Sequence, residues 1–408
     1  MKRPTQAVIL AGGRGSRLRP LTDSVPKPMI PFHGRPFLEY LIELLHGQGF
    51  QRILLLLGYR AATIQDFFGR GNRWGVDIDY SVSSPDDDTG RRLRLAHAKI
   101  DPAFLLMYCD NYWPMCFDDL WVRYLSKNAL VQLTVYANSD RYTRDNVTIG
   151  DNGVVLQYDR SRSATGLSGV DIGFAIVQRE VLDLVPDENV SFEQSVYPEL
   201  VRRGQLHAFI TSHRYYSVGS HDRLELTRTF LTRRPTVILD RDGVLNRKMP
   251  AADYVRSWKD WEWLPGAREA VAMLKSAGFR IIIISNQAGI ARGLMSTDDL
   301  TEIHHRMRAD LREADGDIDA VYFCPHGWDE GCECRKPNPG LIFAAQRDFS
   351  LDLSRTLFIG DDERDEQAAK AAGCPSVRVT DDVRLIDYAR KMLNQPETVK
   401  QSWRSAFL

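Results

Sequence analysis

Twice along this chain a short apolar stretch ends, without a spacer, in a turn built from phosphate-handling residue types. Ala7 to Leu10 runs into Ala11-Gly12-Gly13-Arg14-Gly15, and Thr236 to Leu239 runs into Asp240-Arg241-Asp242-Gly243. An open α/β sheet gathers its ligands at the carboxyl ends of its strands, so two such starts predict two α/β domains in series. The elements that follow each start agree with this. After the first come apolar residues at helical spacing (Phe37, Leu38, Leu41, Leu44, Leu45), the strand Ile53 to Leu57, a helix over Ala61 to Phe68, and the strand Phe104 to Tyr108 ending at Cys109 and Asp110. After the second come a helix over Ala267 to Ala277, the strand Ile281 to Ile284, a helix over Leu300 to Leu311, and strands at Ala320 to Phe323 and Thr356 to Ile359. A helix over Asp222 to Leu231 leads straight to Pro235 with no Gly/Ser-rich spacer, which places domains at 1–233 and 234–395 with a polar tail at 396–408.

A length of 408 residues suits two cores better than one. With 53 basic against 54 acidic residues there is no global field for nucleic acid or an anionic membrane, so an anionic ligand must be gripped locally. The longest apolar runs, Ile53 to Leu57 and Ile281 to Ile284, are far short of the roughly 18 to 20 residues of a membrane span. No signal-peptide pattern follows Lys2 and Arg3, and the expected setting is cytoplasmic. Oligomerisation is left open.

The first turn carries three glycines that let backbone N–H groups approach an anion, with Arg14, Arg17, Arg19 and Lys27 close by. Four cations around such a nest suit a triphosphate. The spacing is neither a Walker loop nor a dinucleotide fingerprint. The longer string, Gly12-Gly13-Arg14-Gly15-Ser16-Arg17-Leu18-Arg19-Pro20-Leu21-Thr22 followed by Pro26-Lys27-Pro28-Met29, resembles the signature of sugar-1-phosphate nucleotidyltransferases. That resemblance implies a Rossmann-like, glycosyltransferase-A-like sheet. It implies nucleotide binding by Gly12, Gly13, Gly15 and Arg14, base and sugar contacts at Thr89 and Gly90, and sugar binding at Asp171 and Arg160. It also implies Mg²⁺ on Asp110, with Arg17 and Lys27 neutralising the phosphates while a sugar phosphate attacks the α-phosphorus and expels pyrophosphate. Two positions depart from the family pattern. Ser217 stands where the family has a second metal aspartate, and Arg91 and Arg92 follow Thr89-Gly90 in place of small residues. Either the metal is held differently, with help from Asp222, or this half binds a nucleotide sugar without making it.

The second turn places two carboxylates side by side, an arrangement that needs a cation, for which Mg²⁺ is the natural partner. Ser285-Asn286-Gln287, Arg335-Lys336-Pro337 and Gly360-Asp361-Asp362 follow, and the set resembles the four motifs of haloacid-dehalogenase phosphatases. The resemblance implies a Rossmannoid domain in which Asp240 is the nucleophile and Asp242 the acid and base. Ser285 and Lys336 hold the phosphate, Asn286, Gln287 and Arg335 contact substrate, and Asp240, Asp242 and Asp361 hold Mg²⁺. Asp365 is a neighbour of that shell or a solvated helix-start acid. Between these motifs Cys324, His326, Cys332 and Cys334 fall within eleven residues, a closed zinc set of structural type. This loop is similar to that of the subgroup holding heptose 1,7-bisphosphate 7-phosphatases and histidinol-phosphate phosphatases, and an upstream sugar nucleotidyltransferase favours the sugar. The implied substrates are a nucleoside triphosphate and heptose phosphates.

Other conspicuous residues read as structure. His304 and His305 belong to a solvated or half-buried amphipathic helix face, Cys109, Cys116 and Cys374 are buried or incidental, and Trp258, Trp261 and Trp263 belong to packing and pocket walls.

Overall fold

The computed structural model of the chain describes residues 2–250 and 253–394. The predicted tail, 396–408, lies outside them. Two compact units divide at Met1–Leu231 and Thr232–Leu408.

The first unit is a seven-stranded sheet in the order Leu206–Thr211, Val131–Tyr136, Val170–Gln178, Ala103–Tyr108, Gln6–Ala11, Arg52–Leu57, Asp77–Val82. Every pairing is parallel except those of Val170–Gln178, which runs antiparallel to both neighbours. Gln6–Ala11 is buried along its whole length because both faces are covered: Ala7 and Ile9 enter one apolar core, Val8 and Leu10 the other. A run with no polar alternation is what such a central strand requires. Leu10 pairs with Tyr108, so the glycine turn and Asp110 emerge side by side at one sheet edge.

The second unit has five strands, all parallel, in the order Ala320–Cys324, Arg280–Asn286, Thr236–Leu239, Thr356–Gly360, Ser376–Arg378. Val237 and Leu239 pack into one core and Ile238 into the opposite one. Thr236–Leu239 lies between Arg280–Asn286 and Thr356–Gly360, with Leu239 paired to Ile283 and Ile359. The three central strands therefore bring Asp240, Ser285 and Asp361 to one edge. Ser285 and Asn286 sit within the strand, not after it, because its pairing with Ala320–Cys324 continues to Asn286 and Cys324. Among the described residues no helix is long and apolar enough to cross a membrane.

Two candidate active sites at strand ends

In the second unit a cavity of about 540 Å³ opens over the strand ends and is lined by Asp240, Asp242, Ser285, Asn286, Arg335, Lys336 and Asp361 among others. Lys336 is buried (3% exposed) and its Nζ donates to Asp240 Oδ1 at 2.8 Å, Asp365 Oδ1 at 2.6 Å and the Ile284 carbonyl at 2.9 Å. Burial opposes its charge, but Asp240 and Asp365 outweigh that and raise its pKa. Asp240 is pushed up to about 7, first by burial, with Lys336 opposing and Asp365 adding. The backbone of Lys336 is gripped on both sides by Asn286, whose Nδ2 donates to the Lys336 carbonyl at 3.0 Å and whose Oδ1 accepts its N–H at 3.1 Å.

Asp242 points away from that cluster. Its Oδ2 accepts from Arg241 Nη2 (2.9 Å), Arg241 Nε (3.2 Å) and Gln287 Nε2 (3.0 Å), and its Oδ1 from Asn246 Nδ2 (2.9 Å) and Arg241 Nη2 (3.0 Å). Burial raises its pKa, yet Arg241 and the other donors bring it below the ordinary carboxylate value. Gln287, buried, also donates to Ser285 Oγ at 2.8 Å; it orients two cavity residues rather than lining the cavity itself.

Carboxylate oxygens of Asp240, Asp361 and Asp365 lie within 4.8 Å of one another. Asp361 Oδ1 is buried with no hydrogen-bond partner, an acceptor that a cation would satisfy. Gly243, at φ 89°, makes room: a Cβ there would come within 2.4 Å of Asp361 Oδ2. Asp365 stands at the helix start, but it is buried (2% exposed) where a solvated acid was one expectation. One oxygen accepts from the N–H groups of Asp361 and Asp362 (3.1 Å each) at the start of helix Glu363–Ala372, and the other holds Lys336.

The four soft ligands converge. Separations are 3.3 Å for Cys324–Cys334, 3.5 Å for Cys332–Cys334, 3.6 Å for Cys324–Cys332, and 3.2 and 3.6 Å from His326 Nδ1 to Cys334 and Cys324. A tetrahedron with Zn–S bonds of about 2.3 Å has edges of about 3.8 Å, so this donor set is sized for such an ion. Asn286 pairs with Cys324, and Arg335 Nη1 donates to the His326 carbonyl at 3.2 Å, which ties the loop to the cavity wall.

In the first unit a cavity of about 330 Å³ is lined by Gly12, Gly13, Gly15, Arg17, Lys27, Thr89, Arg92, Asp110 and Arg160 among others. Lys27 Nζ meets Asp110 Oδ2 at 2.6 Å. Burial raises the Asp110 pKa, but Lys27 and Arg17 bring it below the usual range. Asp110 belongs to neither of the two clusters of three or more metal-type ligands found among the described residues. Of the four predicted cations, Arg17 and Lys27 face the cavity, while Arg14 pairs with Asp86 at 2.9 Å and Arg19 with Asp23 at 3.2 Å near the surface. Gly90 packs beneath Val190, where a Cβ would meet the carbonyl at 2.7 Å, and Thr89 does the lining. Asp171 is half-buried and accepts from Tyr158 Oη (3.2 Å) and the Gly173 N–H (2.9 Å); its surroundings push it up to about 6, first by desolvation. Asp159 accepts from the N–H groups of Ser161, Ser163 and Ala164 and so shapes a turn. Ser217 pairs with Asn111, and the Val218 N–H donates to the Asp110 carbonyl at 2.8 Å, which sets Ser217 beside the Asp110 backbone. Asp222 brings no help: its side chain is 74% exposed and lies against Arg223.

The comparisons with known proteins assign both halves. D-glycero-beta-D-manno-heptose-1,7-bisphosphate 7-phosphatase of Bordetella bronchiseptica is 44% identical over 138 residues, 34% of this chain and 76% of the relative. The chain belongs to the heptose 1,7-bisphosphate 7-phosphatase family. D-glycero-D-manno-heptose-1,7-bisphosphate 7-phosphatase of Thermosynechococcus vestitus is 35% identical over 189 residues, covering 42% of this chain and 93% of the relative. A HAD-hydrolase-like family matches residues 333–405 and a nucleotidyl transferase family matches residues 6–157. The chain is thus a fusion of a nucleotidyl transferase domain with a heptose bisphosphate phosphatase-like HAD domain behind it. Crystalline HddC from Yersinia pseudotuberculosis, complexed with GMP-PN, is 26% identical and covers 54% of this chain and 96% of its own, with a TM-score of 0.46.

Several residues of both units carry structure that no sequence motif marks. Arg241 was visible only as the middle of Asp-x-Asp, yet it is fully buried and grips Asp242. Lys248 reaches Asp361 (2.7 Å) and Asp362 (3.2 Å) from a loop with no motif. Arg92 was noted only as a departure. Its guanidinium donates to the carbonyls of Leu57, Gly12 and Ser84 and to Ser83 Oγ, and a Cβ on Gly12 would lie 2.3 Å from its central carbon. Trp258, Trp261 and Trp263 form a ring cluster, with Trp258 stacked on Trp261 at 5.3 Å, and act as packing.

Proposed function

We propose that this chain performs two consecutive steps in the cytoplasm. It removes the 7-phosphate of D-glycero-D-manno-heptose 1,7-bisphosphate, then transfers a nucleotidyl group, guanylyl by the resemblance of the N-terminal unit, to the resulting heptose 1-phosphate. The observation that carries the first step is the convergence of Asp240, Asp242, Ser285, Lys336 and Asp361 on one cavity, with Lys336 Nζ 2.8 Å from Asp240 Oδ1.

In that reading an Asp240 oxygen attacks phosphorus, the bond to sugar O7 breaks, and an aspartyl-phosphate forms. Asp242 gives its proton to the departing oxygen, then takes one from the water that hydrolyses the acyl phosphate. Lys336 and Ser285 hold the phosphoryl oxygens, with Asn286 fixing the Lys336 backbone. Asp240, Asp361 and the Asp242 carbonyl would hold Mg²⁺, which supplies charge neutralisation at the phosphate. Cys324, His326, Cys332 and Cys334 would hold Zn²⁺ as a brace for the segment bearing Arg335 and Lys336. In the first unit Asp110 would hold Mg²⁺. Arg17 and Lys27 offset triphosphate charge while an oxygen of heptose 1-phosphate attacks the α-phosphorus and pyrophosphate leaves.

A second reading, in which the N-terminal unit binds a nucleotide sugar without making it, is favoured by Ser217 beside Asp110 and by Arg92 filling the space over Gly12. Offering heptose 1-phosphate with each of the four common nucleoside triphosphates separates the two. Pyrophosphate with one of them supports transfer, and pyrophosphate with none leaves the binding role.

A further inference from the structure

Arg241 is an unusual cation. Its side chain is fully buried, and among the described residues its one carboxylate partner is the neighbouring Asp242. The remaining contacts of the guanidinium are to neutral groups: Nη2 to Gln287 Oε1 at 3.2 Å, Nη1 to His304 Nε2 at 3.4 Å, and the Trp261 ring at 5.8 Å. An arginine can only donate, so His304 must meet it with the lone pair of Nε2 and carry its proton on Nδ1. Burial, and secondarily Arg241, push the His304 pKa down to about 3, so the imidazole is neutral throughout the physiological range. His304 comes from helix Thr297–Glu313, which supplies none of the motif residues, and its hydrogen-bond contact on the Asp242 side is with Arg241.

We infer that His304 is a positioning residue of the phosphatase: by accepting from Nη1 it fixes the guanidinium fork of Arg241, and the fork fixes the direction in which Asp242 presents its carboxyl to the leaving oxygen. Without an acceptor at Nη1 a buried N–H is left unsatisfied and the fork gains freedom to turn. Asp242 would still be held by Asn246 and Gln287, so the carboxyl stays in the cavity wall while its aim loosens. This role rests on the reading of Asp242 as the acid that protonates sugar O7.

The substrates that need that proton distinguish aim from fold. An alkoxide leaving group requires it, whereas p-nitrophenolate departs without it, and kcat/KM reports every step up to that departure. His304→Leu is expected to lower kcat/KM for the heptose bisphosphate about 10- to 100-fold, the range typical of residues that orient a reacting group, and to leave kcat/KM for p-nitrophenyl phosphate near the wild-type value. His304→Gln, which keeps an acceptor, is expected to recover most of the loss. Zinc content is read alongside, because the His304 ring lies 6.2 Å from that of Phe323, next to Cys324. Equal losses on both substrates, or a loss that His304→Gln does not recover, would overturn the inference by making His304 merely structural. So would a wild-type kcat/KM for His304→Leu on the sugar while Asp242→Asn is inactive. A wild-type rate for Asp242→Asn would instead remove the reading of Asp242 itself.

Discussion

The two cavities use the same architectural position and opposite charge economies. At the carboxyl edge of the second sheet, Asp240, Asp361 and Asp365 crowd together, and a buried lysine and a buried arginine sort the acids into separate tasks. At the edge of the first sheet, Asp110 faces Lys27, and the position paired with Asn111 holds a serine. A dense network of buried charges positions its members strongly and fails hard when one is removed. A single ion pair at a cavity wall leaves more of the work to the ligand's own charge. The phosphatase half should therefore respond to many substitutions and the transferase half to few.

Lys336→Met is the severest test, since it strands Asp240 and Asp365 in a buried site. Phosphate release should vanish, and the second unit should lose about 3–5 kcal/mol by thermal or urea unfolding. Pyrophosphate release from directly supplied heptose 1-phosphate and nucleoside triphosphate should be untouched. Asp110→Asn is the mirror experiment: pyrophosphate release is expected to disappear while phosphate release stays at the wild-type rate. Effects that cross between the units in either variant would break the contrast. Stripping metal from the cysteine loop, or Cys332→Ser, should cost less, about 10- to 100-fold in phosphatase kcat, with metal content measured on the same sample. The smallest effect expected is a gain. Ser217→Asp places a second carboxylate beside Asp110 and should raise the rate of pyrophosphate release. No change on that substitution would mean that a second acid is not what limits this site.

What the sequence revealed follows the range of the contacts involved. Asp240, Ser285 and Asp361 each lie at the end of an apolar run, so strand placement alone brought them to one edge. Cys324, His326, Cys332 and Cys334 are neighbours in sequence, and a loop of that length can close on itself. The contacts that sort the acids, Lys336 to Asp365 and Arg241 to His304, join distant segments and leave no local pattern, as does the contact of Arg92 with Gly12 in the first unit. Gln287 reads as a substrate contact because it stands two residues after Ser285, but it is buried and its amide is taken up by Asp242 and Ser285. Arg14 was read with the phosphate cations on proximity alone, and Asp86, seventy-two positions away, takes it. The strand Val170–Gln178 gave no hint of its antiparallel direction, which the length and apolarity of a buried strand do not encode.

The most direct measurement is a time course of phosphate and pyrophosphate from one purified chain given heptose 1,7-bisphosphate and GTP together with Mg²⁺. Consecutive sites predict that phosphate appears first and pyrophosphate follows after a lag that Asp240→Asn makes indefinite. Pyrophosphate appearing without prior phosphate, or persisting unchanged in Asp240→Asn, would contradict the order, and phosphate alone would reduce the first unit to a binding module.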